Sequence, residues 1–174
     1  MSRSTILADN ARLTNFDSAP PSIHPNPGAP AMRVERTVTT DRPVEVVSAY
    51  LSDFTHTTQW DPGTVRTQKI QGDGGVGTTY HNVSSFRGRE TELVYTVVER
   101  LEGAKITLEG VNKTLTALDS MTFTPTASGG TTVTYAADFT FTGIARLAAP
   151  FLRGAFDHLG DEAKAGLQKA LDAL

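Results

Sequence analysis

Apolar and polar residues alternate between Thr132 and Thr142, with Ala136 the one apolar residue on the polar face. Val133, Tyr135, Ala137, Phe139 and Phe141 fall on one face, and Thr132, Thr134, Ala136, Asp138 and Thr140 fall on the other. A period of two over this length predicts an antiparallel strand with one buried face. Further β-rich runs precede it at hairpin spacing, over 64–71, 78–86, 91–100, 105–111 and 114–124. The breaks between them are turn chemistry: a glycine-rich loop from Gly72 to Gly77, then Arg87-Gly88, Glu102-Gly103, Asn112-Lys113 and Gly129-Gly130. Met32 to Thr40 predicts one more strand, with Val34 and Val38 on one face.

Two short helical pieces separate that first strand from the rest. Asp41 is placed to cap a helix whose first turn tolerates Pro43, and Val44, Val47 and Leu51 recur at helical spacing. A second piece over 54–59 ends before the turn Trp60-Asp61-Pro62-Gly63. After Gly143 the period changes. Leu152, Phe156, Leu159, Ala163, Leu167, Ala170, Leu171 and Leu174 step by three and four, predicting one long amphipathic helix from near Pro150 to the C-terminus. Its stripe needs a partner, and the sheet offers the large apolar surface. The predicted class is therefore α+β: about seven curved antiparallel strands, two short helices, and a long C-terminal helix laid across the sheet.

A twisted sheet curling round a helix either fills the space between them or leaves a cavity. The inward set is expected to be Tyr80, Leu93, Tyr95, Val97, Met121, Phe123, Tyr135, Phe139 and Phe141, facing Phe151, Leu152 and Phe156 from the helix. Parity adds Asn82, beside Tyr80 and Ser84, and turns His81 outward. The segment from Gly143 to Gly154, with Pro150 inside it, is a candidate lid.

Residues 1–31 carry no such pattern. Five prolines between Pro20 and Pro30 predict a mobile arm ahead of a single folded domain over 32–174. The arm reads either as an extension ahead of a start at Met32 or as a functional segment, a partner-binding tail or a strand that clips onto a neighbour. The length of 174 residues, with 39% hydrophobic and 20% charged residues, suits one globular domain. A net charge of −3 disfavours a nucleic-acid surface. Cysteine is absent, which excludes disulfides, thiolate metal sites and cysteine catalysis. No apolar run reaches the roughly 20 residues of a spanning helix. The N-terminus also lacks a signal-peptide pattern, so the expected location is cytoplasmic.

Several motifs then accumulate: Asp41-Arg42-Pro43 with Val44 to Val47, Asp53-Phe54, Gln59-Trp60-Asp61-Pro62, Gly74-Gly75-Val76-Gly77-Thr78, Phe123-Thr124-Pro125, and Gly129 to Tyr135. With this element order, residues 34–174 resemble the START-like (SRPBCC) superfamily with its helix-grip fold, most closely its polyketide cyclase/dehydrase and lipid-transport branch. The resemblance implies a hydrophobic ligand such as a lipid or polyketide, with cyclisation or dehydration in a minority of members and stress or toxin-like roles in others.

Three function classes follow: a binder or carrier of a small hydrophobic molecule, a polyketide cyclase/aromatase-like enzyme, and an interaction protein with a filled core. The candidate ligand-binding residues are Trp60, Tyr80, Asn82, Leu93, Tyr95, Met121, Phe123, Tyr135, Phe139, Phe151 and Phe156. Trp60 serves either as a core plug or at the cavity mouth. No catalytic set emerges, although Tyr80, Asn82, Tyr95, Asp119 and Tyr135 are polar groups able to polarise a carbonyl or move a proton. Asp119 shares parity with Met121 and Phe123, so it fits cavity chemistry or, more commonly for its type, a strand-end cap. Gly72 to Gly77 formally matches G-x-G-x-x-G, but the β-like run after it denies the helix that a dinucleotide site needs. His158 and Glu162 form an i, i+4 pair without a third metal ligand. Neither metal nor cofactor is expected, and the expected state is a monomer or weak dimer.

Overall fold

The computed structural model describes residues 31–174. The predicted arm lies outside the described residues, apart from Ala31, which opens the first strand. The elements are β1 (Ala31–Thr40), α1 (Val44–Ser52), a 3-10 turn (Phe54–His56), α2 (Thr57–Trp60), β2 (Thr64–Gln71), β3 (Thr79–Phe86), β4 (Arg89–Leu101), β5 (Lys105–Val111), β6 (Leu115–Pro125), β7 (Thr131–Phe141) and α3 (Ala145–Asp172). The seven strands form one antiparallel sheet in the order β1-β7-β6-β5-β4-β3-β2. Each hairpin therefore pairs neighbours in sequence, and the first strand returns to flank the last. Register shifts in β2, and in β4 between Val97 and Glu99, place extra residues in the ladder. Such bulges increase local twist and help the sheet curl.

Two expectations change at the helices. Asp41 does not cap α1: the cap position is held by Pro43 at φ −61°, without a side-chain hydrogen bond. Proline's fixed φ suits a helix entrance on its own. In addition, α3 starts at Ala145 rather than near Pro150, so Pro150 sits inside its second turn. Ile144, Leu147 and Phe151 are apolar yet exposed, and they hide the true stripe in this stretch.

α3 is fastened along β1 and against α2. The Arg36 guanidinium donates to Asp161 at 2.8 Å and to the Asp157 carbonyl at 2.9 Å, and Gln168 donates to the Thr39 carbonyl at 3.0 Å. Gly160 lies against Val34, and Gly166 against the Trp60 carbonyl oxygen, so a side chain at either would push the helix away. The main core lies where α1, α2 and the second half of α3 meet the sheet, around Val47, Leu51, Trp60, Tyr80, Val97, Phe123 and Leu167. A smaller cluster of Val34, Phe141, Ala149 and Phe156 holds the first half of α3. Between the two clusters the packing opens. No helix among the described residues is long and apolar enough to cross a membrane.

Candidate functional site

A cavity of about 230 Å³ lies between the inner sheet face and the first half of α3. Its apolar wall includes Leu51, Phe54, Trp60, Phe86, Leu93, Leu108, Met121, Phe139, Phe141, Leu152, Phe156 and Leu159. Phe156 closes one end. Its ring centroid stands 4.7 Å from that of Phe86, 4.6 Å from Phe139 and 5.9 Å from Phe141. Tilted aromatic packing of this kind adds to the area buried. That volume falls just below the roughly 300–1,000 Å³ of drug-sized pockets, the scale of a one- or two-ring compound.

The polar end is built on β6. Asp119 lies in the interior of that strand, paired with Leu108 on β5 and Ala137 on β7, which sets aside the strand-end-cap reading. It is 8% exposed. The Tyr135 hydroxyl donates to Asp119 Oδ1 at 3.3 Å, and the Tyr95 hydroxyl is directed at the same carboxyl, where it favours the ionised form. Tyr135 reaches it diagonally, because its own cross-strand partner is Met121. Tyr95 comes from farther off, across β5, over Gly110.

Burial raises the Asp119 carboxyl to about 7, against hydrogen bonds from Tyr95 and Tyr135 that favour ionisation. The phenols of Tyr95 and Tyr135 are pushed well above their usual range, first by burial and then by the Asp119 charge. Asp61, in the turn after α2, is also raised by burial. It accepts hydrogen bonds from the Gly63 amide at 2.9 Å and the Thr64 hydroxyl at 2.7 Å. Two carboxyls therefore share this cavity, and no Lys, Arg or His lines it among the described residues.

A second polar cluster is closed on itself. Asn82 donates to Thr67 Oγ1 at 2.8 Å, Thr67 and Thr57 share a 2.7 Å hydroxyl contact, Thr57 donates to the Phe54 carbonyl at 2.8 Å, and Ser84 donates to Asn82 Oδ1 at 2.7 Å. Each of these side chains finds a partner within the protein. No buried side-chain polar atom among the described residues lacks a partner.

Of the residues expected to face a ligand, Trp60, Asn82, Leu93, Tyr95, Met121, Tyr135, Phe139 and Phe156 line the cavity. Tyr80 and Phe123 point inward but are buried in the main core, away from the cavity wall. Phe151 is 86% exposed and faces away, which corrects its placement opposite the sheet. Its neighbour Leu152 takes the inward position, because the stripe at this end of α3 is narrow. Asp61, Phe86 and Leu108 were missed. Asp61 reads as turn chemistry, and Phe86 as the end of a strand.

Other motifs settle as structure. Gly72, Gly74 and Gly77 adopt φ of 95°, 101° and 89°, and β3 rather than a helix follows. His81 lies outward, with Nε2 3.0 Å from Glu92. His158 and Glu162 stand 3.6 Å apart on the exposed side of α3, and the described residues contain no metal-holding group of three or more.

The family described as polyketide cyclase / dehydrase and lipid transport matches residues 31–174. No curated protein matches the sequence. Among solved structures, a START superfamily protein from Mycobacterium smegmatis is 13% identical with a TM-score of 0.69, covering 82% of this chain and 98% of that one. The Zhui aromatase/cyclase from Streptomyces sp. R1128 is 14% identical with a TM-score of 0.66, covering 82% and 92%. The ginseng major latex-like protein 151 from Panax ginseng is 11% identical with a TM-score of 0.62, covering 81% and 97%. Identities this low speak for the fold alone.

Proposed function

Because the chain belongs to the polyketide cyclase / dehydrase and lipid transport family, we propose that it binds or carries a small hydrophobic molecule in the cavity beneath α3. The observation that carries this reading is the largely apolar space between sheet and helix with the buried Asp119 carboxyl at its polar end. Affinity would come from apolar burial, at roughly 25 cal/mol per Å². Tyr95, Tyr135 and Asp119 would fix the ligand's orientation.

One feature favours a cyclase-like second reading. Asp119 titrates near neutrality, at about 7, with two tyrosine hydroxyls on it. A group so placed can hold or move a proton at physiological pH. It marks Asp119 as the residue an enzyme of this architecture would use, with Tyr95 and Tyr135 orienting it.

Native mass spectrometry of the purified protein, with its organic extract examined in parallel, tests the binding reading. A stoichiometric hydrophobic adduct is expected. A clean apo mass that persists after challenge with polyketide-like aromatics counts against it. Tyr95→Phe then separates the two readings: a carrier loses affinity by a graded amount, whereas an enzyme loses turnover with its binding nearly intact.

A further inference from the structure

The polar inventory of the cavity is one-sided. Its carboxyls, Asp119 and Asp61, are acceptors when ionised, and no cationic side chain lines the wall among the described residues. Most of the nearby donors are already committed: Tyr135 to Asp119, Thr64 to Asp61, one amide N–H of Asn82 to Thr67, Ser84 to Asn82, and Asn112 Nδ2 to the Glu92 carbonyl, while the Tyr95 hydroxyl is directed at Asp119. A carboxylate offers about four acceptor positions. The two tyrosines leave Asp119 with capacity that faces the cavity.

Resting on the binding reading above, we propose that the cavity takes molecules whose polar end donates a hydrogen bond, such as a phenol, alcohol or ammonium group, and rejects carboxylates of matching size. A donor end group completes the coordination of Asp119. A carboxylate finds no cation on the wall among the described residues, and it meets two acidic groups in a medium where repulsion is weakly screened. This narrows the ligand class away from free fatty acids and aromatic acids.

Three probes with one ring system test the rule: naphthalenemethanol, naphthalenemethylamine and naphthoate, titrated calorimetrically into the full chain at pH ~8, above the Asp119 midpoint. The alcohol and the amine are expected to bind at least about tenfold more tightly than naphthoate. In Asp119→Asn, naphthoate is expected to come within about threefold of the alcohol.

Should that variant not fold, the wild-type protein carries the same test at pH ~5.5. There Asp119 is protonated and naphthoate's disadvantage shrinks. The titratable groups facing Asp119 are Tyr95 from β4, Tyr135 from β7 and Asp61 after α2, with Asp138 on β7 and, beyond Asp61, Glu162 on α3. All are acids, so none gains positive charge over that interval.

Naphthoate binding as tightly as the alcohol at the higher pH overturns the donor rule and leaves the binding reading standing. An absence of binding by all three probes overturns both.

Discussion

The ring of Tyr95 lies across Gly110, its cross-strand partner on β5, so closely that a methyl group there would stand 2.5 Å from the ring's Cε1 and Cζ. The missing side chain lets the tyrosine pass over one strand and reach Asp119 on the next. Gly110→Ala is therefore expected to destabilise the fold by about 1–3 kcal/mol through overpacking. Strand propensity alone predicts the opposite sign, since alanine loses less backbone entropy than glycine. Chemical denaturation checks the sign, and a variant as stable as wild type shows that Tyr95 has room to move.

Asp119 should impose a pH dependence on stability. Its ordinary midpoint is 3.8, and in the fold it is about 7. Between those values the folded state holds a proton that the unfolded chain has lost. Stability therefore falls as pH rises through this window and stays low above it. At about 1.4 kcal/mol per pH unit, the interval sets a ceiling of about 4 kcal/mol on the penalty. Asp119→Asn removes the penalty while keeping an acceptor for the tyrosines. The variant is expected to melt at a higher temperature than wild type at pH ~8, with the difference closing toward pH ~4. Parallel melting curves for the two proteins across that range would contradict a buried, ionisable Asp119.

Burying an ionisable carboxyl costs stability, so its place in an apolar cavity supports the reading proposed above.

The architecture was legible because the signals were periodic. Thr132 to Thr142 alternates in all but Ala136, and the steps from Leu152 to Leu171 mark a helix. Depth was not legible. Alternation puts Tyr80, Tyr95, Phe123 and Tyr135 on one face of their strands. It does not say which of them are buried in the main core, as Tyr80 and Phe123 are, and which lie beside the opening under α3. The same limit applies to Asp119. Parity turned it inward, but only strand pairing shows that it lies well inside β6 beside two tyrosines rather than at an end. Gly110 carried a signal that went unused, because a glycine inside a strand often marks a close approach.

The Asn82 chain predicts a cost without a cavity. Thr67→Val keeps the volume but removes the hydroxyl shared by Asn82 and Thr57. Asn82 Nδ2 is then left buried without its acceptor, at about 1–3 kcal/mol. Thr57 retains the Phe54 carbonyl. Asn82→Leu on top of Thr67→Val should recover part of the loss, because pairing an apolar group with an apolar group removes the stranded donor. Denaturation of the two single variants and the double variant measures that coupling. Purely additive losses would mean that the chain is not a unit.

Phe156 and Phe151 stand on the same helix with opposite environments, 6% and 86% exposed. Phe156 packs on Phe86, Phe139 and Phe141 and closes the cavity. Phe156→Ala is expected to cost about 3–5 kcal/mol by opening a void in that cluster, and to weaken binding of a two-ring probe. Phe151→Ala removes a side chain that the fold does not bury, and its effect should stay within about 0.5 kcal/mol. The comparison also fixes the rotation of α3. If Phe151→Ala proves the more damaging in thermal unfolding, the first half of the helix presents a different face to the sheet, with Phe151 rather than Phe156 turned toward β7.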